Sequence, residues 1–181
     1  MDEQTPPPIE SFDELALDPR AMSVLRAQGI ETPTPVQAQA IPICLTGRDL
    51  IATAQTGSGK TLGYMLPSMT RLAESASAGF RMLVLAPTRE LAQQVHGVTE
   101  ELCRAMDMRT ALIYGGVGYQ PQIDALNAGP DVVVATPGRL LDHMGRGRFD
   151  WRGLEILCLD EADRMLDMGF LPDIRRIIQK L

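Results

Sequence analysis

Apolar positions along the chain follow two alternating patterns. Short apolar runs occur at Asp49–Thr53, Met82–Ala86, Thr110–Tyr114, Asp131–Ala135 and Leu154–Leu159. Each is rich in Val, Ile, Leu or Ala and bounded by turn or cap residues, so each predicts a buried strand. Between the runs, apolar residues recur at helical spacing. Leu62, Met65, Leu66, Met69 and Leu72 make one face, Leu91, Val95, Val98 and Leu102 a second, and Met165, Leu166 and Phe170 a third. Upstream, Asp18-Pro19 supplies a cap and a first-turn proline for a helix that Gly29 closes. Thr34-Pro35 repeats that start before Val36, Ala40, Ile41 and Cys44. Strands that are apolar throughout, alternating with helices, predict an α/β fold with a mostly parallel sheet and helices on both faces. Ligands of such sheets collect at the carboxyl ends of the strands.

Composition narrows the class. The 181 residues suffice for one α/β domain and are too few for two full ones. With 45% apolar and 22% charged residues, wholesale disorder is excluded. No apolar run approaches the ~18–20 residues that span a bilayer, so no membrane association is expected. The opening MDEQTPPPIE is acidic and proline-rich, unlike a secretory signal. Residues 1–10 read as a flexible tail and 11–181 as the folded domain. Cys44, Cys103 and Cys158 lack paired spacing and His96 and His143 are isolated, which predicts reduced, mostly buried thiols in a cytoplasmic protein rather than a zinc site or a disulfide framework.

The net charge of −6 argues on its own against a nucleic-acid binder, but the excess is local. Residues 1–20 hold six acids and one base, leaving 17 acids and 16 bases elsewhere, so the body is nearly neutral and can carry a basic face. Arginine outnumbers lysine 15 to 2, which makes Lys60 conspicuous.

Lys60 ends the segment Ala54-Gln55-Thr56-Gly57-Ser58-Gly59-Lys60-Thr61, set between a predicted strand and a predicted helix. Glycines there let successive backbone N–H groups turn inward onto phosphate oxygens, and the following helix adds its positive end. Lys60 is placed to reach terminal phosphates and the Thr61 hydroxyl to ligate magnesium. Ala54 stands where the general pattern has glycine. Thr56, Gly57, Ser58, Gly59, Lys60 and Thr61 are thus candidate nucleotide-binding residues. A metal-holding carboxylate is expected at another strand end, and the run Ile156–Leu159 leads into Asp160-Glu161-Ala162-Asp163. Asp160 is suited to magnesium, Glu161 to positioning or deprotonating an attacking water. The plainer reading of these acids is a helix start favoured by the helix dipole.

The same four residues spell DEAD, and from about Phe12 onward the chain resembles the DEAD-box family of ATP-dependent RNA helicases. The resemblance implies a RecA-like phosphate-loop NTPase domain, with ATP or ADP and Mg2+ as ligands. Gly29-Ile30-Glu31-Thr32-Pro33-Thr34-Pro35-Val36-Gln37 is similar to the family's Q motif, which implies that Gln37 reads the adenine edge, that Phe12 stacks on the base, and that the backbone near Thr32 takes part. The plainer readings are an exposed helix residue for Gln37 and a core anchor for Phe12. Pro87-Thr88-Arg89, Gly115-Gly116 and Thr136-Pro137-Gly138-Arg139 resemble the family's RNA-contact motifs. Each follows a predicted strand, which would put all of them on one sheet edge. The implied partner is RNA, held by its sugar-phosphate backbone with little sequence preference. Asp163 is implied to couple nucleotide state to RNA binding, partly through a second RecA-like domain.

No Ser-Ala-Thr triplet follows Asp163, and the 181 residues hold no counterpart of the second domain or its arginine finger. Such a finger is worth about 10³–10⁵ in rate in related phosphoryl-transfer enzymes, so these residues alone are expected to bind adenine nucleotide, hydrolyse it very slowly and unwind no duplex. The family's fold implies a further strand between the one before the phosphate loop and the one ending at Asp160. Its loss predicts two bare strand edges unless those strands close up or another chain fills the gap. Two other readings stand beside this one: a phosphate-loop DNA translocase or kinase, against which Gln37 and the DEAD spelling speak, and a non-catalytic nucleotide- or RNA-binding fragment. Oligomeric state is not specified by the sequence.

Overall fold

The computed structural model describes residues 9–77, 79–147 and 149–181, so the tail reading for 1–8 lies outside the described residues. The chain divides into two units, Met1–Glu74 and Ser75–Leu181.

The first unit is helical. Ser11 opens a 3-10 turn over Phe12–Glu14, and Glu14 Oε1 accepts the Ser11 N–H at 2.8 Å. Helix α1 runs from Pro19 to Ala27, capped by Asp18, whose Oδ1 accepts the Arg20 N–H at 2.8 Å. Gly29 follows it at φ +69, the left-handed closure that glycine allows. Helices α2 (Pro35–Leu45) and α3 (Lys60–Glu74) pack against each other. Phe12, Leu25, Ile41, Met65, Leu66, Met69 and Leu72 are fully buried. The Asp18 N–H donates to Thr70 Oγ1 at 3.0 Å, tying the start of α1 to α3.

The segment Asp49–Thr53 corrects the sequence reading. It forms no strand and is exposed throughout, with Ile51 96% accessible. An extended segment becomes a strand only where a neighbour takes its N–H and C=O groups, and apolar content alone does not supply one.

The second unit holds a parallel sheet of four strands among the described residues: β1 (Met82–Leu85), β2 (Thr110–Ile113), β3 (Val132–Ala135) and β4 (Ile156–Leu159). Their order is β2-β3-β1-β4, with Met82 level with both Val132 and Ile156. All eight residues of β1 and β3 are buried, as expected of the sheet's centre. On one face Leu83, Leu85, Ala111, Ile113, Val133 and Ala135 form a core with Leu140, Met165, Ile174 and Ile177. Those four come from α6 (Pro137–Gly145), α7 (Ala162–Asp167) and α8 (Leu171–Ile178), after α4 (Arg89–Ala105) and α5 (Tyr119–Asn127) in the chain. Helix α4 packs on β2 and β3 and contributes nothing to that core, so it covers the opposite face.

At the amino end of the sheet, Asp131 accepts from the Arg81 guanidinium at 2.8 Å and from the Arg109 N–H at 2.8 Å. Among the described residues, strand β4 pairs with β1, lies at the end of the strand order and is half-buried along its length. The predicted helix face Met165, Leu166 and Phe170 is broken. Gly169 at φ +82 separates α7 from α8, and Leu166 points outward, 50% exposed, while Met165 is buried. Among the described residues no helix is long and apolar enough to cross a membrane.

Candidate functional site

In the first unit, Ala54–Gly59 is a turn-rich loop that opens directly into α3 at Lys60. Gly57 and Gly59 sit at φ +82 and +88, which other residues adopt only under strain. These two reversals fold the loop back on itself. The Ser58 N–H donates to the Gln55 carbonyl at 3.2 Å. Lys60 Nζ donates to the carbonyls of Ala54 and Gln55, the latter at 3.1 Å, so its charge is held by peptide oxygens and not by a carboxylate. Ser58 Oγ is buried without a hydrogen-bond partner. Thr56 and Gly57 are exposed, while Ser58, Gly59, Lys60 and Thr61 are half-buried. A lysine without a counter-charge, an unsatisfied hydroxyl and the free N–H groups of a 15-residue helix start are a donor set suited to an anion.

Gln37 is not the exposed helix residue of the plainer reading. It is 2% exposed, and its carboxamide is used inside the fold. Oε1 accepts the Thr34 N–H at 2.8 Å, which caps α2, and Nε2 donates to the Gly59 carbonyl at 2.9 Å. One residue therefore joins the Q-motif segment to the phosphate loop. Phe12 is 1% exposed, with no ring face open to a base, and its N–H donates to the Glu31 carbonyl at 3.4 Å. That burial fits the core-anchor reading of Phe12. Thr32 is exposed.

In the second unit, Asp160, Pro87–Arg89, Gly115-Gly116 and Thr136–Arg139 all follow parallel strands and share the sheet's carboxyl edge. Ladder bonds run on past the strands into two of these segments and up to the residue before Pro87. The Ala86 N–H donates to Ala135 O, Thr136 N–H to Ile113 O and Asp160 N–H to Leu85 O, each at 2.9 Å. Thr88 caps α4 through the Leu91 N–H at 3.2 Å and leaves Arg89 exposed at its first turn. Pro87, Thr136 and Pro137 are buried, Gly115 is half-buried, and Gly116 and Gly138 are exposed. Gly116 lies at φ +87 under the Arg89 guanidinium, so that a Cβ there would meet its Nη1, with Cζ at 3.4 Å. Arg139 donates from both terminal nitrogens to Val117 O, at 3.0 and 3.1 Å. The loop after β2 is thus held between an arginine from α4 and one from α6.

Asp160 is buried, 6% exposed, at the end of β4. Glu161 adopts φ 50, ψ 51 as it caps α7, and its Oε2 accepts from Arg164 Nη1 at 3.1 Å. A left-handed glutamate between strand and helix is uncommon, and such outliers concentrate at functional sites. Asp163 is exposed and its Oδ1 accepts the Arg164 N–H at 2.9 Å.

Sequence reasoning missed two residues at this edge. Tyr119, at the start of α5, carries the Arg139 guanidinium 4.1 Å and the Arg146 guanidinium 4.7 Å from its ring centre. The signal was available. Arg139 and Arg146 are seven apart and so share one face of a helix.

The family model for DEAD/DEAH box helicases matches residues 34–181. This chain belongs to the DEAD/DEAH box helicase family. The "ATP-dependent RNA helicase DBP2" of Encephalitozoon cuniculi is 45% identical over 97% of this chain and 36% of its own length. The "DEAD-box ATP-dependent RNA helicase 14" of Arabidopsis thaliana is 44% identical over 98% of this chain and 29% of its own. The chain therefore spans about a third of these relatives. A solved structure of a hypothetical ATP-dependent RNA helicase from Sulfolobus tokodaii superposes with a TM-score of 0.82 at 39% identity, covering 90% of this chain and 47% of that one. The predicted α/β, RecA-like architecture is thereby shown, although the strand expected before the phosphate loop is not formed.

Proposed function

We propose that this chain is the nucleotide- and RNA-backbone-binding part of an ATP-dependent RNA helicase that works in the cytoplasm. The observation that carries the reading is the phosphate loop, where Lys60 rests on peptide carbonyls and the Ser58 hydroxyl has no partner. ATP or ADP phosphates would take Lys60 from those carbonyls and supply the acceptor that Ser58 lacks. Thr61 and Asp160 are hard oxygen donors suited to Mg2+, which would neutralise phosphate charge. Glu161 would orient and deprotonate the attacking water. Gln37 has one N–H and one lone pair left over for the adenine edge. Arg89, Arg139 and the helix starts behind Thr88 and Thr136 would hold RNA phosphates, while Asp163 would respond to the partner domain. In the whole enzyme the second RecA-like domain would add the arginine finger, so the 181 residues alone bind nucleotide and turn it over slowly.

Calorimetric titration with magnesium-ADP and, separately, magnesium-GDP tests this. ADP bound and GDP rejected supports both the loop and adenine reading. Equal binding keeps the loop and removes the base selectivity assigned to Gln37. Binding of neither overturns the nucleotide site.

A further inference from the structure

Tyr119 lies lengthwise against one face of α6. Its ring is 4.1 Å from Arg139, 5.4 Å from the buried His143 ring and 4.7 Å from Arg146, and its hydroxyl donates to Asp142 Oδ2 at 2.9 Å. Those four positions, 139, 142, 143 and 146, repeat the helical i, i+3, i+4, i+7 spacing. Two guanidiniums therefore share one aromatic ring, and among the described residues no carboxylate is in ion-pair range of either. Asp142 spends one oxygen on the tyrosine. Behind the ring, His143 Nε2 is 3.2 Å from Gln122 Oε1, and Gln122 Nε2 donates to Tyr114 O at 3.0 Å, so α6 is fixed to the β2–α5 connection.

Like charges on one ring repel, and the ring's negative face offsets that only in part. A polyanion would remove the remainder. We propose that Tyr119 is a positioning residue that sets Arg139 and Arg146 as a paired phosphate clamp, extending the RNA track along α6 by at least one phosphate. The clamp rests on the RNA reading of this edge. It reads charge and not base identity, because both arginines meet the strand as cations held by a ring.

The test is anisotropy titration of a fluorescent single-stranded RNA with the full chain at several salt concentrations. Thermal melts run alongside. Arg146→Ala is expected to weaken binding several-fold and to flatten the slope of log K against log salt by about 0.7, one phosphate's share. Tyr119→Leu is expected to flatten the slope likewise with both arginines present, and Tyr119→Phe to rescue it, a response that a purely structural role would not give. Arg104→Ala, at the far end of α4, removes the same charge and serves as the control. A wild-type slope in Arg146→Ala, while Arg89→Ala still weakens binding, overturns the clamp and leaves the RNA edge standing. No effect from Arg89→Ala, Arg139→Ala or Arg146→Ala overturns both. Arg146-dependent binding of poly-glutamate in place of RNA assigns the pair to an acidic peptide and overturns the clamp.

Discussion

The Gln37 carboxamide donates to the carbonyl of Gly59 at 2.9 Å, joining the start of α2 to the phosphate loop. Its partner contact is close enough that a Cβ on Gly59 would lie 2.5 Å from Gln37 Nε2, at a backbone φ of +88. Gly59→Ala therefore meets both a clash and backbone strain, and is expected to lose about 1–3 kcal/mol of stability by urea unfolding. Gln37→Ala strands the Thr34 N–H and leaves the Gly59 carbonyl only the Gly63 N–H at 3.2 Å, a loss of about 1–2 kcal/mol. Nucleotide affinity should fall with stability in both variants. A Gln37→Ala chain that melts like wild type and loses only base selectivity would show that the two internal bonds contribute nothing.

Gly116 and Arg89 stand in the same relation at the other candidate site. At φ +87, beneath a guanidinium, Gly116→Ala must push Arg89 aside. The arginine tip is exposed and can move, so the expected stability loss is the backbone term alone, about 1 kcal/mol. RNA affinity should drop by more than that stability change implies, because Arg89 loses its seat. Anisotropy binding beside a thermal melt separates the two effects.

Glu161 should favour glycine over alanine, as its place at the start of α7 and its left-handed backbone both require. At φ 50, ψ 51 it holds a conformation that disfavours any Cβ. Glu161→Ala and Glu161→Gly both remove the carboxylate and its Arg164 contact, so their difference isolates the backbone. Glu161→Gly is expected to be more stable than Glu161→Ala by about 1 kcal/mol, the left-handed backbone cost adding to the ordinary preference for glycine over alanine at a helix start. Equal melting temperatures would mean that the chain relaxes out of the left-handed region at little cost.

Four of the five predicted strands formed because their apolar runs lie where a neighbouring strand exists. The fifth, Asp49–Thr53, looks the same in sequence, but strand formation depends on a partner and sequence pattern is local. The turn-rich loop before α3 and the acidic segment after β4 are legible as candidates because their residues are consecutive. The burial of Gln37 is not legible locally, since its carboxamide is held by Gly59, twenty-two positions away. Tyr119 escaped for the same reason. Its significance comes from α6, and nothing adjacent to it in the chain signals two arginines. The helical spacing carries Leu166 onto a buried face because the pattern runs through Gly169, where the helix in fact turns.

Cys103 supplies a pH dependence that lies away from either candidate site. Burial pushes its thiol from the ordinary 9.0 up to about 12, with the nearby Asp131 charge adding and Arg81 opposing. The folded chain thus keeps a proton between pH 9 and 12 that the unfolded chain releases. Fewer protons on the unfolded state mean that stability falls as pH rises through that window. From pH 8 to 10 the loss from this one group is expected to be about 1 kcal/mol. Tyrosines and lysines titrate in the same range, so the comparison is with Cys103→Ala, which should be less stable at pH 8 but show a shallower decline toward pH 10. Below pH 9 the native thiol stays protonated and should react slowly with alkylating reagents until the chain is unfolded. Parallel urea midpoints for the two chains across the window would mean that Cys103 ionises as freely folded as unfolded, and that the core around α4 is open to water.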